Sequence, residues 1–372
     1  MSFLYVPLMA AKRGEFTALT ELRGSVSGKT LPLFELPAQK AEKKEFEKSI
    51  CRTAVAAGKA WASRHAFLDI SKWPSNARTE NGIHVLEYAF SQFRSSGVAI
   101  QPVVGYDRWD DPAYSQALKN IGSIHPTKPC FRFDRESVLD DMLDLQYFSD
   151  RMIDILNSMG VVSEDCYAMV DFGDVTTSSL SDLIEATENA VGALRHIGFD
   201  NVIVVGGSMP DTVNKAVNTK DEEGCIPRIE MLNWKTVFSK SKDGNLIFGD
   251  YIIRSPVALE GVIAPQANAK IRYTIENQFF IVRGHSKQLD SLTNQHAKLS
   301  KKLIKSPHYM DPSFSWGDAE LLKCSLGTLE IRDATKMIAI DSNHHINAVI
   351  SEIFEHRQKL VPSSTSGMTN KG

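Results

Sequence analysis

Carboxylate side chains that could take part in chemistry recur directly after short apolar runs of the sequence. In the clearest case the apolar residues 168–170 lead into Asp171-Phe172-Gly173-Asp174, and a Thr/Ser-rich helix start follows. A carboxylate in this place lies at the carboxyl end of a buried parallel strand, where the active sites of α/β proteins are found. Asp107 and Asp134 follow apolar runs in the same way. The main candidates for acid–base catalysis or metal binding are Glu35, Asp69, Asp171, Glu230 and Asp250.

Basic side chains stand close to the same strand ends: Lys12, Arg132, Arg228 and Arg254. Carboxylates and guanidinium groups that meet at one edge of a sheet are typical of a site for a phosphorylated or otherwise anionic ligand. Oxygen ligands also suit a divalent cation such as Mg²⁺, although the sequence defines no ligand set for a metal. The alternative is structural, because an acid after a strand also caps the next helix and an acid–arginine pair can simply join two strands.

A glycine-rich turn, Gly206-Gly207-Ser208-Met209-Pro210, follows a later apolar run and precedes a helical segment. The backbone N–H groups of such a turn suit a phosphate at a helix N-terminus. The turn is equally an ordinary connection from strand to helix, because glycine adopts positive φ without strain. Arg283, at the end of an alternating apolar segment, is a further candidate cation for ligand binding or for an interface.

The signatures of zinc proteases, α/β-hydrolases and protein kinases are missing from the sequence. His344 and His345 are adjacent, so they point to different faces of a helix and do not form a chelating pair. No reaction type is therefore defined by a local motif.

Apolar strand candidates, among them residues 228–231, alternate with helical segments, such as one helix over residues 138–159, up to about residue 250. This alternation predicts βαβ units and a parallel sheet that is covered on both faces. A TIM-like (β/α)8 barrel needs eight strands, and the sequence offers one candidate more, so we expect the first or the last to lie outside the barrel. The alternative is an open doubly wound parallel sheet, although no G-x-G-x-x-G follows an early strand.

The regular alternation of strand candidates with helical segments ends after Pro256. We therefore predict a barrel domain over residues 1–256 and an appended C-terminal α+β lobe over residues 257–360. Within the lobe, the alternating segment 271–284 is either one long strand or a hairpin, and the last helix is expected to run from His344 to Leu360. Residues 361–372 are rich in Ser, Thr and Gly and are expected to be a disordered tail.

Composition places the chain among ordinary soluble globular proteins, since 42% of residues are hydrophobic and 23% are charged. A net charge of −3 gives no overall attraction to nucleic acid or to an anionic membrane. The five cysteines are scattered and form no C-x-x-C pair, which is typical of reduced thiols in the cytoplasm. Because the sequence shows neither a secretory signal nor a long apolar span, we expect a cytoplasmic protein without membrane contact.

The order of several short motifs resembles that of the beta family proteins, named after the Beta protein of a satellite bacteriophage. The motifs extend over about residues 4–358 and include Tyr5-Val-Pro-Leu-Met9, Leu31-Pro-Leu-Phe-Glu-Leu-Pro37, Phe248-Gly-Asp-Tyr251, Phe280-Ile-Val-Arg-Gly284 and Trp316-Gly-Asp318. The resemblance implies a protein of phages, prophages or mobile islands that is associated with antiphage defence. It implies no particular reaction.

Three hypotheses follow from the residues and the resemblance together. The first is a component of a phage-encoded or antiphage defence system whose barrel mouth binds a nucleotide or a nucleic-acid-like anion, with metal-assisted phosphoester chemistry as its enzymatic form. The second is a non-catalytic, antitoxin-like protein that binds a partner encoded nearby through the surface around Arg272 to His285. The third is a barrel enzyme of small-molecule metabolism.

Overall fold

Strands and helices alternate through the part of the chain that the computed structural model describes, residues 3–38, 45–241, 245–257 and 268–360. The strands are β1 (Tyr5–Met9), β2 (Leu33–Glu35), β3 (His65–Asp69), β4 (Ala99–Gly105), β5 (Cys130–Phe133), β6 (Tyr167–Asp174), β7 (Asn201–Gly207), β8 (Glu223–Pro227), β9 (Leu246–Asp250), β10 (Asn268–Ile275) and β11 (Gln278–Ser286). Strands β1 to β7 and β9 form a closed barrel of parallel neighbours. The predicted (β/α)8 barrel is confirmed, and the open sheet is wrong.

Helices return the chain from one barrel strand to the next and form the outer layer. They are α1 (Arg13–Thr20), α2 (Gly24–Ser27), α3 (Phe46–Trp61), α4 (Val85–Ser95), α5 (Pro112–Ile124), α6 (Arg135–Leu139), α7 (Leu145–Met159), α8 (Leu180–Ile197), α9 (Val213–Ala216) and α10 (Ile229–Lys240), followed by α11 (Leu292–Lys305), α12 (Trp316–Ser325) and α13 (Ala334–Leu360). Helix α8 ends at Gly198, whose φ of 101° is a left-handed conformation that glycine adopts without strain.

Side chains of the barrel strands alternate between the interior and the surrounding helices, as the two-residue period of a strand requires. Leu33, Phe67, Cys130 and Met169 belong to the apolar cluster that fills the interior. The outward side chains pack with the helices in a larger apolar core. The interior face of each strand continues to the mouth of the barrel. The side chain two positions after the last apolar interior residue of a strand therefore points into that mouth.

The surplus strand candidate is neither the first nor the last, which corrects the expectation from the sequence. Strands β1 and β9 both belong to the barrel and pair with each other, Tyr5 opposite Phe248. The predicted strand at residues 228–231 is wrong, because this segment begins α10. Its buried residues Met231, Trp234 and Val237 recur every third position, which is a helical spacing.

Two helix boundaries also differ from the prediction. The sequence predicts one helix over residues 138–159, but a 3₁₀ turn separates α6 from α7. The side chain of Asp144 accepts a hydrogen bond of 3.1 Å from the backbone N of Tyr147 and so caps the start of α7. The last helix begins at Ala334, ten residues before the predicted start at His344.

A three-stranded antiparallel sheet in the order β10-β11-β8 lies beside the barrel. Strands β10 and β11 form a hairpin that turns at Asn277, so segment 271–284 is not one long strand. Helices α11, α12 and α13 pack on this sheet in a separate apolar core that includes Ile271, Val282, Leu321 and Ile340. Strand β8 comes from within the range 1–256 that the sequence assigns to the barrel. The predicted tail, 361–372, lies outside the described residues.

Helix α13 joins the two parts, because it packs against α1 as well as against β10 and α12. Its middle carries buried polar side chains, among them Asp341, Asn343, His344 and His345. Within the described ranges, no helix is long and apolar enough to cross a membrane.

Candidate functional site

Four of the predicted side chains meet on the strands at the mouth of the barrel, and a fifth, Arg254, reaches the mouth from the loop after β9. Glu35 ends β2, Asp69 ends β3, Arg132 lies on β5 and Asp171 on β6. Each follows an interior apolar residue by two positions, so all four point inward from their strands. Pairing in the parallel sheet places Glu35 opposite Asp69. The strand ends thus bring together residues that are far apart in the sequence.

Arg132 is the centre of this group. Its Nε and Nη2 atoms donate to Oδ2 of Asp171 at 2.9 and 2.6 Å. Its Nη1 atom donates to Oδ2 of Asp69 at 2.6 Å and to Oε1 of Glu35 at 3.0 Å. Tyr251 accepts from Nη2 at 3.0 Å and donates to Oδ2 of Asp171 at 2.6 Å. These contacts fix the guanidinium group in one orientation.

Two further arginines flank the centre. Arg108, on the loop after β4, donates from Nη2 to Oδ1 of Asp69 at 3.1 Å. Arg254, after β9, pairs with Oε2 of Glu35. The network around Arg132 therefore contains three carboxylates and three guanidinium groups in alternating contact.

The electrostatics keep the two deepest carboxylates ionised. Burial raises the pKa of Glu35, but Arg254 and Arg132 lower it more, so this pKa lies well below its usual range. Burial likewise raises the pKa of Asp69, while Arg108 and Arg132 bring it below its usual value. Neither carboxyl carries a proton near neutral pH, so neither can act as a general acid there.

A cavity of about 610 Å³ opens above this group. Arg132 and Arg108 line it with side chains that are 11% and 12% exposed, whereas the side chains of Glu35 and Asp69 are fully buried behind them. The guanidinium groups therefore separate these two carboxylates from the cavity. Other lining residues are Ser71, Asp107, Asp134, Arg135, Glu136, Leu139, Asp140, Asp171, Phe172, Gly173 and Tyr251.

Three predicted site residues do not reach the mouth. Arg228, Glu230 and Asp250 form a second cluster that is buried between the barrel and the C-terminal part of the chain. Arg228 lies 3.7 Å from Glu230 and 3.5 Å from Asp250, and its Nη1 donates to Glu352 at 2.6 Å. Asp250 shares the outward face of β9 with Phe248, so it points away from the barrel interior. The expectation that these three residues join Arg132 is wrong.

Asp250 receives hydrogen bonds from several directions. The Tyr5 hydroxyl donates to its Oδ1 at 2.5 Å, and Nε2 of His345 lies 3.0 Å from its Oδ2. His344 faces the other way, with Nδ1 2.9 Å from Oδ2 of Asp318. The two adjacent histidines thus point to different partners, as the sequence predicts, and they join α13 to the barrel and to α12.

The glycine-rich turn serves close packing. A Cβ atom on Gly207 would lie 2.7 Å from Cγ of Pro256, and one on Gly206 would lie 3.2 Å from Cβ of Glu230. Ser208 donates to Glu230 and accepts from the backbone N of Ile229 at 2.8 Å. The following helix α9 has only four residues. The contacts of this turn are those of a strand-to-helix connection.

The remaining predicted cations have separate surroundings. Arg283 is buried, and its Nη1 donates to the backbone carbonyls of Val217 at 2.7 Å and Asn218 at 2.6 Å. Lys12 is exposed just before α1, and its backbone N donates to Glu15 at 3.4 Å. Arg283 belongs to the segment that the sequence suggests as a partner surface, but its side chain is buried and is not part of a surface.

Sequence reasoning missed Arg108 and Tyr251. A Cβ atom on Gly105 would lie 2.2 Å from Nη2 of Arg108, so the glycine that ends β4 makes room for this guanidinium group. Tyr251 follows the interior residue Ile247 by four positions, and this periodicity is a signal that was present in the sequence. Among the described residues, no group of three or more His, Cys, Asp and Glu side chains is arranged to hold a metal ion.

Comparison with known proteins identifies the family but not an activity. A search of curated proteins gives no match. Among solved structures, Yersinia pestis DHPS with a pterine-sulfa conjugate aligns with 68% of this chain and 89% of that chain, at 11% identity and a TM-score of 0.38. A TM-score this low assigns neither a ligand nor an activity. The Beta protein family matches residues 5–351, nearly the whole sequence. The chain therefore belongs to the Beta protein family.

Proposed function

We propose that the barrel mouth binds an anionic ligand, a nucleotide or another phosphorylated small molecule, through Arg108 and Arg132. The observation that carries this proposal is the layered arrangement of charge. Guanidinium groups line the cavity, and the buried carboxylates of Glu35 and Asp69 hold them from behind. A fixed guanidinium group loses little conformational freedom when it binds a phosphate, which favours affinity.

Arg108 offers the freer donor of the two. Its Nη1 atom is buried and has no hydrogen-bond partner among the described residues. A buried donor without a partner is costly, and an anion in the cavity would relieve that cost. Arg132 is already saturated by its carboxylate partners, so we assign it mainly to the positive potential at the base of the cavity.

The proposal is one of binding rather than acid–base catalysis. The two buried carboxylates stay ionised, and arginines already occupy their oxygen atoms. The acids at the rim of the cavity, Asp107, Glu136 and Asp140, would repel a long polyanion. A small ligand with one anionic end therefore fits this charge distribution better than a nucleic-acid chain.

A thermal-shift screen of nucleotides and inorganic phosphate, with and without Mg²⁺, tests the proposal. We expect phosphate-bearing compounds to raise the Tm of the wild type and of the control Arg332→Gln, whose side chain is 79% exposed. Arg108→Gln should lose the rise, while Asp69 keeps Arg132 as its partner. The proposal fails if no such compound raises the Tm, or if Arg108→Gln responds like the wild type.

The proposed biological setting is a phage-encoded or antiphage defence system in the cytoplasm, an association with defence that the resemblance to the beta family proteins implies. In this setting ligand binding at the mouth is part of the defence response. Cells that carry the gene with its neighbours should resist phage infection, and the Arg108→Gln variant should lose that resistance in a plaque assay. Equal resistance in the variant would show that defence does not depend on ligand binding at the mouth.

A further inference from the structure

A second, acidic cavity of about 270 Å³ adjoins the mouth. The two cavities share the lining residues Asp107, Asp134, Glu136 and Asp140. Asp141 adds a fifth carboxylate to the second cavity. One guanidinium group, that of Arg151, lines the same cavity. A ligand anchored at the arginines is therefore next to a strongly negative compartment.

Some of these carboxylates already have structural roles. Asp134 caps α6 by accepting from the backbone N of Ser137 at 3.0 Å. Arg151 donates to Asp110 at 2.9 Å, outside the lining. The carboxylates of Glu136 and Asp140, in contrast, accept no hydrogen bond from the described residues, and both side chains are exposed. They are available to a ligand.

A separate observation points to a ligand here. Tyr106 lines the acidic cavity and is only 2% exposed, yet its hydroxyl has no partner at hydrogen-bonding geometry among the described residues. Burial, and after it the interaction of the hydroxyl proton with the adjacent Asp141 carboxylate, raises the pKa of this hydroxyl, so it stays protonated. A buried hydroxyl without a partner is unusual in a native structure. With the Asp141 carboxylate beside its proton, the hydroxyl oxygen can still accept a hydrogen bond from a donor group in this acidic cavity.

We propose that the acidic cavity takes a cationic amine, so that the ligand of the mouth is dipolar, with an anionic group on Arg108 and Arg132 and an ammonium group among Glu136, Asp140 and Tyr106. This inference rests on the proposed function, because it adds a second group to the same ligand. An ammonium group suits the cavity better than a metal ion, because no three of the described carboxylates converge on one point. An ammonium group donates to several dispersed acceptors.

Titration calorimetry with matched ligands tests the proposal. A series of aminoalkyl phosphates of increasing chain length is compared with the alkyl phosphates that lack the amine. At the length that bridges the two cavities, the amine should tighten binding to the wild type by roughly tenfold, as charge-assisted hydrogen bonds do. The variant Glu136→Gln/Asp140→Asn should lose this advantage and bind alkyl phosphates at least as tightly as the wild type, because it lacks two carboxylates that repel an anion.

Asp165→Asn is the matched control, because Asp165 is an exposed acid that precedes β6 and so lies at the opposite end of the barrel. It should bind both ligand series like the wild type. If alkyl phosphates bind but no amine adds affinity, or if the double variant keeps the amine advantage, the dipolar ligand is wrong and the anion site stands. If neither series binds, the proposed function itself is wrong.

Discussion

Arg132 and Asp171 face each other across the neighbouring strands β5 and β6, and two nitrogen atoms of the guanidinium group donate to the same carboxylate oxygen, at 2.9 and 2.6 Å. Both side chains are largely buried, at 11% and 5% exposure. The pair connects the barrel wall to the mouth, since Arg132 also bonds to carboxylates on β2 and β3. It is at once part of the fold and part of the candidate site.

Removal of the central cation should destabilise the barrel. Arg132→Met leaves three carboxylates near one another without their shared partner, so we expect the free energy of unfolding to fall by about 3–5 kcal/mol. Urea denaturation measures this loss. Arg332→Gln, which removes an exposed guanidinium group, should change stability by less than about 1 kcal/mol. A similarly small loss for Arg132→Met would show that the buried network does little for the fold.

The second cluster should give the protein a pH-dependent stability. Burial raises the pKa of Glu230 to about 7, with Arg228 opposing the shift and Asp250 adding to it. In the unfolded chain the carboxyl titrates near its usual value of 4.5, so the folded state binds more protons between these two values. The stability that this group contributes is complete below pH 4.5 and is lost as the pH rises through about 7.

Glu230→Gln removes this titration and leaves an oxygen that can accept from Ser208. Relative to the wild type, the variant should therefore gain stability between pH 5 and pH 8, by up to about 3 kcal/mol. Denaturation at a series of pH values measures the difference. A constant difference across that range would mean that Glu230 titrates normally. Asp341, whose pKa burial raises to about 6 against the effect of Arg272, should behave in the same direction at lower pH.

Arg283 should matter for stability and not for ligand or partner contact. Arg283→Met leaves the carbonyls of Val217 and Asn218 without their donor in a buried place, so we expect a loss of about 2–3 kcal/mol in the free energy of unfolding. The exposed Lys287 is the control, and Lys287→Met should be nearly neutral. If Arg283→Met is as stable as the wild type but loses a co-purifying protein, the partner-binding hypothesis gains support.

Two glycine-to-alanine substitutions distinguish a glycine that close packing requires from one that has open space around it. Gly207→Ala places a Cβ atom 2.7 Å from Pro256, so it should destabilise the protein by about 1–3 kcal/mol. Gly192→Ala lies in the exposed face of α8, where the new Cβ meets no atom within 4 Å apart from the backbone of its own helix, and it should stabilise the protein by up to about 1 kcal/mol. Thermal unfolding of both variants gives the comparison. A neutral Gly207→Ala would remove the packing explanation for the glycine-rich turn.

The sequence predicts the barrel and most of the residues in the network at its mouth, because the ends of the strands are visible in the sequence. Glu35, Asp69 and Asp171 each follow an apolar run, and the alternation of strands with helices defines a barrel. Asp250 also follows an apolar run, but it lies three positions after the interior residue Ile247. An odd spacing along a strand makes its side chain point outward. A rule that counts strand ends without the two-residue period cannot separate these cases.

Other features depend on contacts between distant parts of the chain. The sequence predicts a strand around Glu230, but this segment is the first turn of α10, since a short apolar segment fits either structure. The pairing of β8 with β11 joins segments that lie on either side of β9, and no local pattern indicates it. Arg108 reaches Asp69 only because Gly105 leaves space, which the sequence alone does not show.

The most direct test of the anion site is a crystal structure of the protein with the phosphorylated ligand that gives the largest rise in Tm. We expect the phosphate to lie in the mouth cavity, with an oxygen atom within hydrogen-bonding distance of Nη1 of Arg108 and with Arg132 beneath it. A phosphate bound elsewhere, or a mouth in which Arg108 makes no contact with the ligand, would show that the barrel mouth is not the anion site.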